Sequence, residues 1–252
     1  MITIDLSGKN ALVTGGTRGI GRAISRRLAE AGASTLAVWR GDADAAQVSL
    51  AERQAFGAGA HANLQADIGE EQAVERLAAE VKGQFPDGLD FLILNAGVGL
   101  GGKVTETEPA AWRRMLDVNL GSAFLLCRAL VPTLRRGGSI VAISSGAGHD
   151  PIPGLAFYGA SKAALNLFIA DLAQEVGPDG VRANVVSPGG TDTSYQGSAP
   201  SPARPPDGDA LAHNALRRRG VPDDVAGAVL FLCSDLSGFV TGQALRVNGA
   251  AL

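Results

Sequence analysis

Tyr158 and Lys162 stand four residues apart in Tyr158-Gly159-Ala160-Ser161-Lys162, and Ser145 lies thirteen residues upstream. If 158–162 is helical, a separation of four puts phenol and ammonium on one face, about one turn apart. A nearby ammonium favours the phenolate and draws a tyrosine pKa down from about 10, towards the range where the phenol can give or take a proton. General acid–base catalysis needs that tuning. The pair alone is a weak signal, and its meaning depends on the residues around it.

A glycine-rich turn near the N-terminus supplies the first of these. Asn10-Ala11-Leu12-Val13-Thr14 reads as a buried strand and is followed at once by Gly15-Gly16-Thr17-Arg18-Gly19-Ile20-Gly21. Apolar residues then recur at helical spacing up to Gly32, a helix stop. Strand, glycine turn and helix together let the backbone approach a pyrophosphate, whose charge meets N–H groups at the helix N-terminus. The spacing Gly15-x-x-x-Gly19-x-Gly21 differs from the commonest dinucleotide fingerprint. The next strand ends at Trp39-Arg40. Counted from Gly32, the position where an NAD enzyme carries an acidic residue is Trp39, and Asp42 and Asp44 come too late for it. Arg40 and Arg18 could clamp a 2′-phosphate, which points to NADP(H).

The chain has 252 residues, 46% of them hydrophobic, enough for a sizeable core in one domain. A net charge of −3 argues against a large nucleic-acid footprint. Cys127 and Cys233 lie in apolar helical contexts, which suits buried free thiols and a reducing cytoplasm. His61, His149 and His213 lack metal-ligand spacing, so no metal is expected. The N-terminus lacks the features of a signal peptide, and no apolar run reads as long enough to span a bilayer.

Strand-like runs are expected at 10–14, 34–39, 61–66, 89–94, 139–144, 181–186 and 243–247. Helices are expected at 19–31, 43–56, 70–83, 108–135, 157–176 and 222–234. Such alternation implies one α/β domain over residues 1–252, a doubly wound Rossmann-type parallel sheet with helices on both faces. The segment 191–219 is poor in core-forming residues and long for a loop, and it follows a strand's C-terminal end, so it reads as a substrate flap.

Thr14 to Gly21, Asn95-Ala96-Gly97, Asn119, Ser145, Tyr158 to Lys162 and Pro188-Gly189 occur in one order over nearly the whole chain. Together they resemble the single-domain branch of the short-chain dehydrogenase/reductase family. The stretches Arg219 to Ala226 and Gly242 to Gly249 are similar to β-ketoacyl-carrier-protein reductases. The resemblance implies that Tyr158 protonates a carbonyl oxygen, that Lys162 binds the nicotinamide ribose and lowers the Tyr158 pKa, and that Ser145 stabilises negative charge on that oxygen. It implies that Asn119 holds a water relaying protons towards Lys162. Family spacing to Tyr158 selects Ser145 over its neighbour Ser144. For the cofactor, the resemblance implies Gly15, Thr17, Arg18, Gly19, Ile20 and Gly21 at the phosphates, with Arg40 beside them. Asp67 and Ile68 would sit at the adenine, and Asn95, Ala96 and Gly97 at the adenine ribose. Pro188, Gly189, Thr191 and Thr193 would meet the nicotinamide end.

The resemblance therefore implies an NADPH-dependent ketoreductase acting on a β-keto thioester or polyketide-like carbonyl. The alternatives are an alcohol dehydrogenase running in the oxidative direction and a cofactor-binding sensor or structural subunit without turnover. Leu94 replaces the usual Asn before Asn95. Arg136 matches one basic position for a carrier protein, but Asp179 falls where a second arginine is expected, so a carrier is not favoured. Gly148 to Phe157 should form a stiff, mostly apolar pocket wall in which His149 could touch substrate. A homotetramer or homodimer is implied through 108–135 and 157–176, with Ala163, Ala164, Leu167, Phe168 and Leu172 as an apolar stripe.

Overall fold

The computed structural model describes residues 3–193 and 214–251. Seven strands form one sheet: β1 (Asn10–Thr14), β2 (Ser34–Trp39), β3 (His61–Gln65), β4 (Leu89–Leu94), β5 (Leu134–Ile143), β6 (Arg182–Pro188) and β7 (Ala244–Val247). Their order is β3-β2-β1-β4-β5-β6-β7, and every pairing is parallel. The chain moves outward from β1 to β3, then returns to the other side of β1 with β4. That reversal opens a crevice beyond the carboxyl ends of β1 and β4, where such sheets take ligands.

The two-residue period of the strands divides their side chains between two cores. Leu12, Leu92, Leu94, Ile140 and Ala142 face one helical layer, made by α3 (Glu71–Gln84), α5 (Ser122–Leu130) and α6 (Ala156–Val176). Ala11, Val13, Phe91, Ile93, Val141 and Ile143 face the other, where α1 (Gly19–Glu30) packs against α7 (Pro222–Cys233). α2 (Ala43–Gln54) lies beside α1. Both faces being covered, the central strands read as continuous apolar runs.

Three expectations need correction. The helix expected over 108–135 ends earlier: α4 (Pro109–Leu116), a π-turn at Asp117–Gly121 and α5 lead to a short 3₁₀ turn at Val131–Thr133. β5 begins at Leu134, five residues before the expected 139, because Leu134 pairs with Leu89 ahead of an irregularity in the β4–β5 register. Pro132 leaves the helix at that point. The stretch Pro109–Thr133 is also long and apolar enough, by length and composition, to cross a bilayer. Here its apolarity serves the core, with Met115, Val118, Ala123, Leu126 and Leu130 all buried. Of the expected flap, residues 194–213 lie outside the described residues. Thr191 bridges to Gly220 in parallel fashion, which brings the two ends of that segment together.

Candidate active site

A cavity of about 630 Å³ runs across the carboxyl ends of β1 to β6. Its phosphate end is built by the turn between β1 and α1. Gly15 has φ +62, and a Cβ there would come within 3.1 Å of the Asn95 Nδ2 atom. A Cβ on Gly21 would overlap the Gly15 carbonyl oxygen. The turn can close only without these side chains. The Arg18 side chain makes no cap on α1, whose first turn carries no acidic residue. Its N–H groups are therefore oriented for an anion, and the cradle fits a nicotinamide dinucleotide.

Thr14 and Asn95 fasten this turn to β4. The Thr14 hydroxyl accepts from Asn95 N and Ala96 N, both at 3.0 Å, and the Asn95 amide donates to Thr14 O at 2.8 Å. At the adenine end, Arg40 lines the cavity and lies 3.7 Å from Asp67, which Arg114 of α4 also grips at 2.7 Å. Burial pushes the Asp67 carboxyl up, but Arg114, the Gly69 N–H and Arg40 together hold it below its usual range. Asp42 also reaches the cavity while capping α2 through Ala45 N at 3.0 Å. Counted from Gly32, it comes after Trp39, the position an NAD enzyme's acidic residue takes. The turn after β2 brings it back.

At the other end, α6 presents Tyr158 and Lys162 to the cavity. Lys162 is 3% exposed, and its Nζ lies 6.0 Å from the Tyr158 ring centre. It donates to the Ile143 carbonyl at 2.8 Å, which anchors it to the end of β5. Burial lowers its pKa from 10.5 to about 8. The two serines separate by partner: the Ser144 hydroxyl donates to the Lys162 carbonyl at 3.3 Å and is buried. The Ser145 oxygen accepts from Ala147 N at 3.2 Å at the head of the 146–148 turn, and both serines line the cavity.

Asn119 is the one expected catalytic residue outside the lining. It sits in the π-turn, 2% exposed. Its Oδ1 accepts from Val98 N at 2.8 Å, and its Nδ2 donates to Val98 O at 2.9 Å and to Ser161 Oγ at 3.0 Å. Both amide hydrogens are thus committed, and the side chain clasps the β4 loop to α6. Every expected cofactor residue lines the cavity: Gly15, Thr17, Arg18, Gly19, Ile20, Gly21, Arg40, Asp67, Ile68, Asn95, Ala96, Gly97, Tyr158, Lys162, Pro188, Gly189, Thr191 and Thr193.

The apolar wall expected at 148–157 is not part of the lining. Phe157 instead meets Trp112 at 5.7 Å between ring centres, and His149 turns to Ser187 and Asn166. Arg136 lies near the start of β5 against Gly180, away from the strand end that carries Ser144 and Ser145. It offers no basic patch at this chain's own cavity.

A family model described as Enoyl-(Acyl carrier protein) reductase matches residues 15–250. The chain belongs to the short-chain dehydrogenase/reductase family. It is 34% identical over 248 residues to the 3-oxoacyl-acyl-carrier-protein reductase FabG of Aquifex aeolicus, covering 98% of each chain. Among solved structures it is similar to a dehydrogenase/reductase from Sinorhizobium meliloti 1021, with TM-score 0.91 and 36% identity over 98% of this chain and 96% of that one. It is also similar to a short-chain dehydrogenase from Burkholderia cenocepacia J2315 in complex with NADP, with TM-score 0.89 and 35% identity over 97% and 98% of the two chains. Membership makes this chain an oxidoreductase of CH–OH and C=O groups that binds a nicotinamide cofactor.

Proposed function

We propose that the protein is an NADPH-dependent ketoreductase for a β-keto thioester or polyketide-like ketone. The observation that carries the reading is the convergence of Ser145, Tyr158 and Lys162 on one cavity with the glycine turn and Arg40 at its far end. The bound cofactor supplies the hydride. Tyr158 gives its phenolic proton to the carbonyl oxygen, and the Ser145 hydroxyl donates a hydrogen bond to the same oxygen as negative charge develops there. Lys162, held by Ile143, places a positive charge beside the phenol and so favours release of that proton. Asn119 keeps the Val98 loop and α6 at a fixed distance, which keeps Tyr158 in register with the cofactor cradle.

Arg40 and Arg18 support the 2′-phosphate of NADPH. Asp42 in the same cavity is the observation that favours the second reading, an NADH enzyme. The oxidative direction uses the same groups in reverse. A cytoplasmic setting belongs to the reading and agrees with two buried free thiols. So does a homotetramer or homodimer through α5 and α6, where Phe124 and Leu167 are 51% and 64% exposed. The expected stripe divides, since Leu172 is buried and Phe168 packs on the core while Ala163 and Leu167 face outward. The test is oxidation of NADPH and of NADH against β-keto thioesters, aromatic diketones and simple cyclic ketones. Turnover of a ketone with NADPH supports the reading. Preference for NADH overturns the arginine argument, and tight NADPH binding without any turnover leaves a ketone outside the panel or the sensor.

A further inference from the structure

His149 follows directly on the Gly146–Gly148 turn that Ser145 begins. Its Nε2 lies 2.9 Å from Ser187 Oγ and 3.3 Å from Asn166 Nδ2. Three parts of the site meet at this imidazole. Ser187 immediately precedes Pro188 and Gly189 at the end of β6, and Asn166 lies about one turn beyond Lys162 on α6. The same Asn166 nitrogen donates to the Gly148 carbonyl at 3.3 Å. A carbonyl can only accept, so this nitrogen is the amide's donor end, and His149 Nε2 must accept from it. The ring is then the neutral tautomer with its proton on Nδ1, and the Ser187 hydroxyl donates to the same lone pair.

We propose that His149 is a positioning residue whose neutral imidazole ties the Ser145 turn to α6 and to the end of β6, and that protonation of Nε2 breaks the arm of that tie from Asn166 to the Gly148 carbonyl. A protonated Nε2 would face the Asn166 NH₂ group donor to donor. Ser187 can reverse its hydroxyl and accept. Asn166 can satisfy the new donor only by rotating its amide. Its Oδ1, buried and unpartnered among the described residues, would then meet Nε2, but the Gly148 carbonyl would lose its donor. The charged groups facing the ring are Asp150 on its own segment and Arg246 on β7, themselves paired at 2.9 Å, while the α6 and β6 contacts are uncharged. Burial lowers the His149 pKa and Arg246 lowers it further, against Asp150. The Asn166–Gly148 arm is therefore intact at neutral pH and lost as pH falls through the lowered His149 pKa.

The inference rests on the ketoreductase reading, because it assigns that reaction its acid limb. The test compares wild type, His149→Gln and His149→Leu from about pH 5 to 8. Glutamine keeps an acceptor near the Nε2 position but does not titrate. Wild-type kcat should fall with one proton below about pH 6.5, with KM for NADPH changing less than about twofold. His149→Gln should stay within about threefold of wild type at pH 7.5 and lose that limb, while His149→Leu should lose roughly tenfold in kcat throughout. An unchanged acid limb in His149→Gln, or wild-type kcat in His149→Leu, overturns the proposal. Amide exchange of residues 146–149 reads the same tie without turnover. Wild type should lose protection relative to His149→Gln at the acid end of that range and match it at pH 7.5. Equal protection at both pH values overturns the inference even if no ketone is reduced, so its failure is distinguishable from failure of the ketoreductase reading.

Discussion

Replacing Lys162 with methionine should abolish turnover and change how stability depends on pH. The ammonium is buried, and no carboxylate among the described residues pairs with it; the Ile143 carbonyl is its partner. Its folded pKa of about 8, against 10.5 for an ordinary lysine, corresponds to a cost to the folded state of about 3 kcal/mol. A lysine with a depressed folded pKa is held less tightly by its proton in the native state than in the unfolded chain. Its cost is therefore complete below about pH 8 and disappears as pH rises past 10.5. Methionine removes this dependence. It also orphans the Ile143 carbonyl, a loss of about 1–3 kcal/mol that does not vary with pH. The stability of Lys162→Met relative to wild type should accordingly fall by about 2–3 kcal/mol between pH 7 and pH 10. Urea unfolding of both proteins at several pH values reads this directly. A difference that stays flat over that range would refute the claim that a charge is buried here without a counter-charge.

Arg40→Ala should raise KM for NADPH by roughly 10- to 100-fold, the loss of one charge-assisted contact, and leave KM for NADH nearly unchanged. Steady-state kinetics with both cofactors checks this. Ser145→Ala should lower kcat by about 10²- to 10³-fold, because it removes a donor to the developing oxyanion. Ser144→Ala should cost less than about tenfold, since that hydroxyl serves the Lys162 carbonyl. Arg53 is completely buried and donates to Ser49 O, Thr35 O, Thr35 Oγ1, Ala62 O and Asn63 Oδ1. Arg53→Met removes the donor these acceptors share, leaves Asn63 Oδ1 without its partner, and should destabilise the protein by about 3–5 kcal/mol, a loss measurable by urea unfolding at pH 7.

Every strand expected from sequence is present, and so is every helix except the single one over 108–135, because buried parallel strands and amphipathic helices carry strong, different periods. The catalytic pair was readable for a local reason: Tyr158 and Lys162 share a helix, and four residues along a helix is a fixed geometry. The glycine turn was readable because steric exclusion at Gly15 and Gly21 restricts residue type. What escaped depends on contacts distant in sequence. The end of the helix before Leu134 is set by pairing with Leu89, which no local period announces. Asn119 was found as a site residue, but its commitment to Val98 and Ser161 arises only when three elements meet. Asp42 comes after the acidic position when counted along the strand, while the chain bends there and brings the residue to the cavity lining with its carboxylate capping α2. By sequence, His149 reads either as a substrate contact or as an ordinary loop residue. Its partners, 17 and 38 positions away, became visible only in the fold.

The most direct test of the central claim is Tyr158→Phe, assayed with NADPH and the best ketone from the panel while cofactor binding is followed by fluorescence. The phenyl ring keeps the cavity's shape and removes only the proton donor. The account predicts NADPH binding within about threefold of wild type and a kcat lower by about 10²- to 10⁴-fold. Turnover near the wild-type rate would mean that another group protonates the carbonyl oxygen, and the role given to Tyr158 would be wrong.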